Sequence, residues 1–210
     1  GLADGQRILE LGCGGGSLSI YMAERFPGSQ IRVVSNSRTQ REHIESEIRG
    51  RGLQNLRVAT RDMVAFDPGE AFGERAPFDR VVSVEMFEHI RNWRELLRRI
   101  STWLVADGRL FVHIFCHERF AYPFEVRDST DWMAEHFFTG GVMPSFDQMA
   151  AMSEHLRMEK SWRVNGRHYW QTSEHWLRNL DAHRGEVMKL FEAVYGRGEG
   201  LKWVVRWRIF

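Results

Sequence analysis

Three side chains that can hold or move a proton stand close together near the middle of the chain. Glu85, Glu88 and His89 follow the apolar run Phe78–Val84 at positions i, i+3 and i+4. In a helix this spacing places the three side chains on one face. A histidine of ordinary pKa, about 6.5, accepts a proton near neutral pH, and a carboxylate can attract a cation and relay its proton. The cluster predicts acid–base chemistry, with Glu88 orienting His89. The preference of helix N-termini for acidic residues would explain the glutamates but not the histidine.

A glycine-rich segment follows the first apolar run, Arg7–Leu11. Residues 12–16 read Gly-Cys-Gly-Gly-Gly, and a helical pattern begins at Ser17. Such a loop lets a ligand approach the backbone closely, because glycine has no Cβ. The dinucleotide fingerprint requires a third glycine where Ser17 stands. Glycines stand instead at positions 12, 14 and 16, preceded by Glu10, and an acid near the loop suits an ammonium group better than a phosphate.

Two further segments could complete a nucleoside site. The second strand ends without the usual acid, so the amides of Asn36 and Gln40 are the candidates for hydrogen bonds to ribose hydroxyls. Arg38 offers an alternative, recognition of the 2′-phosphate of NADP. After the third strand, Asp62 can meet the exocyclic amine of adenine while Met63 packs on the ring, although Met63 could equally be a core residue.

The glycine pattern resembles motif I of class I S-adenosylmethionine-dependent methyltransferases. Residues 33–40, 84–89 and 111–117 narrow the resemblance to the cyclopropane-fatty-acid-synthase superfamily, and within it to the coclaurine N-methyltransferase branch. Residues 137–144 and 163–169 extend the similarity over almost the whole chain.

This resemblance implies S-adenosylmethionine as the cofactor and methylation of an amine nitrogen in an aromatic or alkaloid-like small molecule. Glu85, Glu88 and His89 would be catalytic, and His113, Phe115 and Tyr169 would belong to the substrate pocket. The cofactor would be held by Glu10, Gly12, Gly14, Gly16, Asn36, Gln40, Asp62 and Met63.

The main alternative within the superfamily is a cyclopropane-fatty-acyl-phospholipid synthase. In such enzymes the position of Glu85 is usually glycine. A bicarbonate base is held there by residues that match Glu88, His113 and Tyr169, with a backbone contact near Phe115. The carboxylate of Glu85 would occupy that neighbourhood, which favours amine methylation. A non-catalytic cofactor-binding fragment is a third possibility, and Ser17 disfavours an NADP oxidoreductase.

Predicted strands and helices, which must position these residues, alternate regularly as far as residue 115. Several of the strands are apolar on both faces, which indicates a mostly parallel sheet covered by helices, the doubly wound α/β class. The predicted strands are 7–11, 31–35, 56–59, 78–84 and 109–115, and the predicted helices are 17–26, 38–51 and 93–104. Residues 67–77 are predicted to be a loop.

The chain beyond residue 115 follows another pattern. We predict one methyltransferase domain over 1–210, with a cofactor-binding core over 1–115 and a substrate lid and C-terminal helices over 116–210. Aromatic residues are dense in this lid, and they could line a pocket or form a second small core. Residues 156–164 could form a sixth strand, and 172–195 reads as a helix interrupted at 184–185. From the appearance of both ends we expect the chain to be part of a longer protein.

Composition excludes several classes of protein. The 29 basic and 28 acidic residues give a formal net charge of +1 and no electrostatic case for nucleic-acid binding. No apolar run is long enough for a membrane helix. The positions of His113, Cys116 and His117 fit no standard zinc pattern, so we expect no metal. The contexts of the two cysteines favour a reducing compartment, and we interpret the protein as cytoplasmic. Nothing in the pattern indicates an oligomeric state.

Overall fold

A parallel sheet of five strands forms the centre of the first of two compact units. The computed structural model describes residues 1–73, 77–128 and 130–210, which divide into the units Gly1–Met158 and Glu159–Phe210. The strands pair in the order β3-β2-β1-β4-β5, each parallel to its neighbour. Their bounds are β1 Arg7–Leu11, β2 Gln30–Ser35, β3 Leu56–Thr60, β4 Phe78–Val84 and β5 Leu104–His113.

Helices connect these strands and begin at recognisable caps. The hydroxyl of Ser37 caps the second helix by accepting from the N–H of Gln40, and the side chain of Asn92 caps the fourth through the N–H of Glu95. The bounds are α1 Ser17–Arg25, α2 Arg38–Arg51, α3 Pro68–Phe72, a 3₁₀ turn Phe87–His89, α4 Trp93–Trp103 and α5 Trp132–His136. The predicted doubly wound, mostly parallel α/β fold is confirmed.

Two apolar clusters bury the sheet. Successive residues of a strand point to opposite faces, so Ile8 joins the cluster with α1 and α2, whereas Leu9 and Leu11 join the cluster with α4. All three side chains are fully buried. A strand buried on both faces is the pattern of a parallel sheet covered by helices.

The order of the strands reverses between β1 and β4. The chain moves outward through β2 and β3, then returns to place β4 on the other side of β1. Ligands of open α/β sheets bind outside the carboxyl ends of the strands at this switch point. Leu11 pairs in register with Ser83, so the glycine loop after β1 and the acidic segment after β4 begin side by side.

The region after residue 115 contains little regular structure within the first unit. Two short antiparallel strands, β6 Tyr122–Pro123 and β7 Val142–Met143, form a separate ribbon. The prediction of a sixth strand over 156–164 is wrong. Residues 157–164 are all exposed, and no described strand pairs with them.

Other boundaries also differ from prediction. The fifth strand begins at Leu104, with an irregularity opposite Phe78 and Arg80 that accommodates the predicted turn at 107–108. Part of the predicted loop 67–77 is the short helix α3, and residues 74–76 of that loop lie outside the described residues.

The second unit consists of three helices: α6 Arg167–Ala182, α7 Arg184–Tyr195 and α8 Gly200–Ile209. The ring of Tyr195 stacks on that of Trp203 at a centroid distance of 3.7 Å, which joins α7 to α8. The interruption predicted at 184–185 lies one residue earlier, at His183, because α6 ends at Ala182 and α7 begins at Arg184. None of the described helices is both long and apolar enough to cross a membrane.

Candidate active site

The glycine loop and the acidic segment touch at the switch point. Gly12 has a φ of 79°, and a Cβ placed on it would lie 2.5 Å from Cγ of Met86. A side chain at position 12 would therefore collide with the residue that follows Glu85. Glycine is therefore required at position 12 for the packing of the loop against Met86, whether or not the loop binds a ligand.

The other two predicted glycines have different surroundings. A Cβ on Gly16 would lie 2.7 Å from Cγ1 of Ile44, so this glycine permits α1 to pack against α2. Gly14 has a φ of 53° and faces open space, with no atom within 4 Å of an added Cβ. Of the three, Gly14 is the position at which a ligand can reach the backbone without displacing a side chain.

Glu10 points toward the first helix. Its side chain is 2% exposed, and Oε2 accepts a 2.5 Å hydrogen bond from the hydroxyl of Ser19 in α1. Burial raises the pKa of this carboxyl to about 7, and the bond from Ser19 opposes that rise. Burial and the charge of Glu10 raise the pKa of Cys13 to about 12, so the thiol in the loop is not a nucleophile at neutral pH.

The residues predicted to hold the nucleoside lie at the carboxyl ends of β2 and β3. Asn36 is exposed, and Oε1 of Gln40 accepts from the hydroxyl of Ser35 at 2.5 Å. Oδ1 of Asp62 accepts from the N–H of Val64 at 2.8 Å. Half-buried Met63 packs against the core.

Arg99 of α4 anchors the segment that contains Asp62 and Met63. Its guanidinium donates to the carbonyls of Met63 at 3.0 Å and Val64 at 2.8 Å, and also to that of Phe66. Sequence reasoning missed this arginine, because nothing in the local pattern of α4 connects it to a loop some 35 positions earlier.

Glu85 has the most unusual backbone of the site. Its φ is 50°, and it is the one non-glycine residue with positive φ in the part of the chain that the structure describes. Its N–H donates to the carbonyl of His113 at 2.9 Å, which fixes the turn against the end of β5. A strained conformation that neighbouring bonds maintain is typical of functional positions.

The carboxylate of Glu85 faces the imidazole of His113. Nδ1 of His113 lies 2.9 Å from Oε1 of Glu85, which is ion-pair distance without the alignment of a hydrogen bond. Both carboxyl oxygens are shielded from solvent, and neither meets hydrogen-bond geometry with a described residue. Burial raises the pKa of Glu85, and the nearby imidazole of His113 opposes that rise in part.

Residue types and spacing alone did not predict this pairing, whereas the resemblance placed the carboxylate of Glu85 in the neighbourhood of His113. Val84 and His113 are register partners in neighbouring parallel strands, so Glu85 and His113 meet once β4 and β5 are known to be adjacent.

Glu88 and His89 lie in the 3₁₀ turn, and Glu85 lies outside it. The three side chains would share one face only in a helix, and no helix carries all three, because the positive φ of Glu85 separates it from the turn. Glu88 is 2% exposed, and burial raises its pKa to about 7. Nε2 of His89 lies 4.0 Å from Oε1 of Glu88, beyond hydrogen-bond distance, and burial lowers the pKa of the imidazole. The hydrogen bond implied by the orienting role of Glu88 is not formed.

Aromatic rings surround His89. The ring of Phe138 stacks on His89 at 5.8 Å between centroids, and Phe115 meets Phe138 edge-on at 5.6 Å. Phe124 stacks on Phe138 at 4.7 Å. The predicted pocket residue Phe115 is thus joined to His89 through Phe138. Tyr169 lies in α6 of the second unit with 46% of its surface exposed, and its place in a pocket remains a prediction.

No group of three or more metal-binding side chains converges among the described residues. His117 has a structural task, since its Nδ1 accepts from the N–H groups of Arg119 at 3.0 Å and Phe120 at 2.9 Å. Cys116 is exposed and Cys13 is buried, and neither forms a disulfide.

The sheet order, the glycine loop and the switch-point site define a class I methyltransferase fold. Residues 1–197 match the family described as mycolic acid cyclopropane synthetase, and the chain belongs to that family. The superfamily resemblance read from the sequence is confirmed.

The relatives include alkaloid N-methyltransferases. The chain is 36% identical over 213 residues to (S)-coclaurine N-methyltransferase of Thalictrum flavum subsp. glaucum, covering 100% of this chain and 57% of that protein. Pavine N-methyltransferase of the same plant is 34% identical, with 100% and 58% covered. The crystal structure of coclaurine N-methyltransferase bound to N-methylheliamine and SAH has a TM-score of 0.87 at 34% identity, covering 99% of this chain and 60% of that one. The chain thus spans somewhat more than half the length of these relatives.

Proposed function

We propose that the protein is an S-adenosylmethionine-dependent methyltransferase that methylates an amine nitrogen of an aromatic, alkaloid-like small molecule. The observation that carries the proposal is the carboxylate of Glu85. It is shielded from solvent, its oxygens lack hydrogen-bond geometry with described residues, and it stands beside the glycine loop at the switch point. The imidazole of His113 at 2.9 Å is one partner for such a buried carboxylate, and we expect a substrate ammonium to be another.

The loop suits the proposed cofactor. Gly14 leaves open space at the backbone, and the segment lacks the glycine that a pyrophosphate fingerprint requires. When bound, S-adenosylmethionine supplies an electrophilic methyl group. The residues that would hold it are the predicted set: Glu10, Gly12, Gly14, Gly16, Asn36, Gln40, Asp62 and Met63. Because the carboxyl of Glu10 is bonded to Ser19, we expect it to act on the loop through α1.

The acid–base residues would prepare the amine. An amine is largely protonated near neutral pH, and it must lose one proton before its lone pair can form the new N–C bond. Glu85 would attract the ammonium, and its raised pKa would let it hold the proton that it receives. His89, whose pKa burial lowers, would be neutral and available as a second acceptor. Glu88, with a pKa of about 7, would be a further group that can accept or donate a proton beside them.

The aromatic groups suit a flat organic scaffold. Phe115 is joined to His89 through the ring of Phe138, and aromatic faces attract ammonium groups as well as other rings. We include His113 in the proposed pocket for its contact with Glu85. A pocket role for Tyr169 rests on the resemblance alone.

The test is methyl transfer by the purified protein, with a radiolabelled donor offered to benzylisoquinoline-like amines, simple amines and unsaturated phospholipid. We expect label in an aromatic amine. Glu85→Gln should lower kcat at least about 100-fold while donor binding survives. Glu42→Gln, which alters an exposed carboxylate on α2, should change neither. Label in lipid alone would contradict the amine assignment.

A second candidate is cyclopropane synthesis on unsaturated acyl chains, which the family description favours. The carboxylate of Glu85 is the feature against it, because it would occupy the place that the resemblance assigns to the bicarbonate base of such synthases. A third is a cofactor-binding fragment without activity. Donor binding without label in any acceptor would select this third candidate.

We propose that the protein acts in the cytoplasm. Two observations support this: the two cysteines form no disulfide, and the expected partner is a small-molecule amine substrate.

A further inference from the structure

A tight turn at residues 138–141 lies against the 3₁₀ turn that carries Glu88 and His89. We name residues 138–141 the FTGG turn. The N–H of Gly141 donates to the carbonyl of Phe138 at 2.8 Å, and the carbonyl of Gly141 accepts from the N–H of Phe124 at 3.0 Å. The turn is thereby closed on itself and attached to the neighbouring β6 ribbon.

Two contacts join the FTGG turn to the acidic segment. Nε of Arg91 donates to the carbonyl of Gly140 at 2.7 Å. A Cβ added to Gly141 would lie 2.5 Å from the carbonyl oxygen of Glu88 and 3.2 Å from that of Phe138. Both obstacles are backbone atoms, so any side chain at position 141 would force the two turns apart.

The ring of Phe138 completes the arrangement. It is 8% exposed and stacks on His89 with an interplanar angle of 22°. Phe115 and Phe124 pack on the same ring, so Phe138 has little freedom to turn. The imidazole of His89 therefore rests on a fixed aromatic plane, and the hydrogen bond to Glu88 that could have oriented it is not formed.

We propose that the FTGG turn is the positioning element of the acid–base site: Gly141 and Arg91 set the separation of the two turns, and Phe138 sets the plane of the His89 ring. This inference rests on the proposed function for its effect on turnover, while its geometric content is independent of any substrate. The residues involved are positioning residues, because none of them exchanges a proton with the amine.

The test compares Gly141→Ala with Gly50→Ala, whose added methyl meets open space in α2. We expect Gly141→Ala to lower kcat at least about tenfold with the KM for the methyl donor within about twofold, since small displacements of catalytic groups are costly. Proton NMR of the imidazole should show the ring-current shift of His89 reduced in Gly141→Ala and in Phe138→Leu, but unchanged in Gly50→Ala. His89→Gln identifies the signal.

Separate readouts distinguish the possible failures. If Gly141→Ala keeps both kcat and the His89 signal, the proposal is overturned. If the signal moves as expected in a protein that methylates no amine, the positioning role stands and the proposed function fails. Should Gly141→Ala not fold, Arg91→Gln removes a single hydrogen bond and must shift the His89 signal in the same direction, or the proposal fails.

Discussion

Replacement of Glu85 by glycine should leave the protein more stable than replacement by alanine, while either change abolishes the proposed activity. A non-glycine residue in the left-handed region costs about 1–2 kcal/mol relative to ordinary backbone. Glu85 occupies that region with a φ of 50°. Glycine adopts this conformation without strain but loses about 0.5–1 kcal/mol more conformational entropy on folding. The balance favours glycine over alanine by about 1 kcal/mol at this position.

Comparison of Glu85→Gly with Glu85→Ala isolates the backbone contribution. Both variants lose the shielded carboxylate and its approach to His113, so the difference between them reports φ alone. At exposed Ser46, inside α2, the same pair should show the opposite sign, since glycine in a helix is about 1 kcal/mol worse than alanine. A glycine variant that is more stable than the alanine variant at position 85, but less stable at position 46, therefore indicates backbone strain at Glu85.

Chemical denaturation monitored by circular dichroism gives the free energy of unfolding for each variant. A difference of 1 kcal/mol corresponds to about 2–4 °C in Tm for a chain of this size. Glu85→Gly should also lose methyl transfer while retaining donor binding. If Glu85→Ala is as stable as Glu85→Gly, the backbone at this position is not strained and the argument from φ fails.

Three further outcomes follow from other contacts. Burial raises the pKa of Glu10 from 4.5 to about 7, so its contribution to stability is complete below pH 4.5 and is lost as pH rises through 7. In urea titrations between pH 5 and 8, the native protein should therefore lose about 3 kcal/mol of stability that Glu10→Gln does not lose. Parallel curves of stability against pH for the two proteins would refute the assignment. Arg99→Ala should weaken binding of the methyl donor at least about tenfold in calorimetry, because the segment that contains Asp62 loses its anchor. Arg98→Ala, which loses only a surface ion pair with Glu95, should leave donor binding unchanged. His117→Ala should lower the free energy of unfolding by about 1–2 kcal/mol, because two N–H groups lose their acceptor; full stability in thermal unfolding would show that water replaces the imidazole.

The strands and their order of appearance could be predicted because each is an apolar run that ends in glycine or polar residues. Phe78–Val84 matches its predicted bounds, because it begins with Phe78 and its valines Val81 and Val82 are buried in the two different apolar clusters. The predicted strand over 156–164 is wrong because apolar residues at alternate positions resemble a strand pattern, whereas a strand forms only when a neighbouring strand pairs with it. A local pattern carries no information about that neighbour.

The candidate site was predictable in its residues and less so in its contacts. Glu85 was identified from its type and place, but its partner His113 depends on the register of β4 and β5. The orientation of Glu10 toward Ser19 depends on which face of β1 meets α1. The left-handed backbone of Glu85 is imposed by the fold, since glutamate has no preference for that conformation.

Burial has opposite effects on the two kinds of acid–base group in this site. It raises the pKa of a carboxyl, because the charged form is the deprotonated one, and lowers that of an imidazole, because the charged form is the protonated one. Glu88 accordingly rises to about 7 while His89 falls below its usual value. Groups that differ by about two pH units in water are brought closer together, so each can give or take a proton near neutral pH at small cost. Because burial also shields the oxygens of Glu85, the site combines a carboxylate beside the imidazole of His113 with acceptors suited to removing a proton from a bound cation.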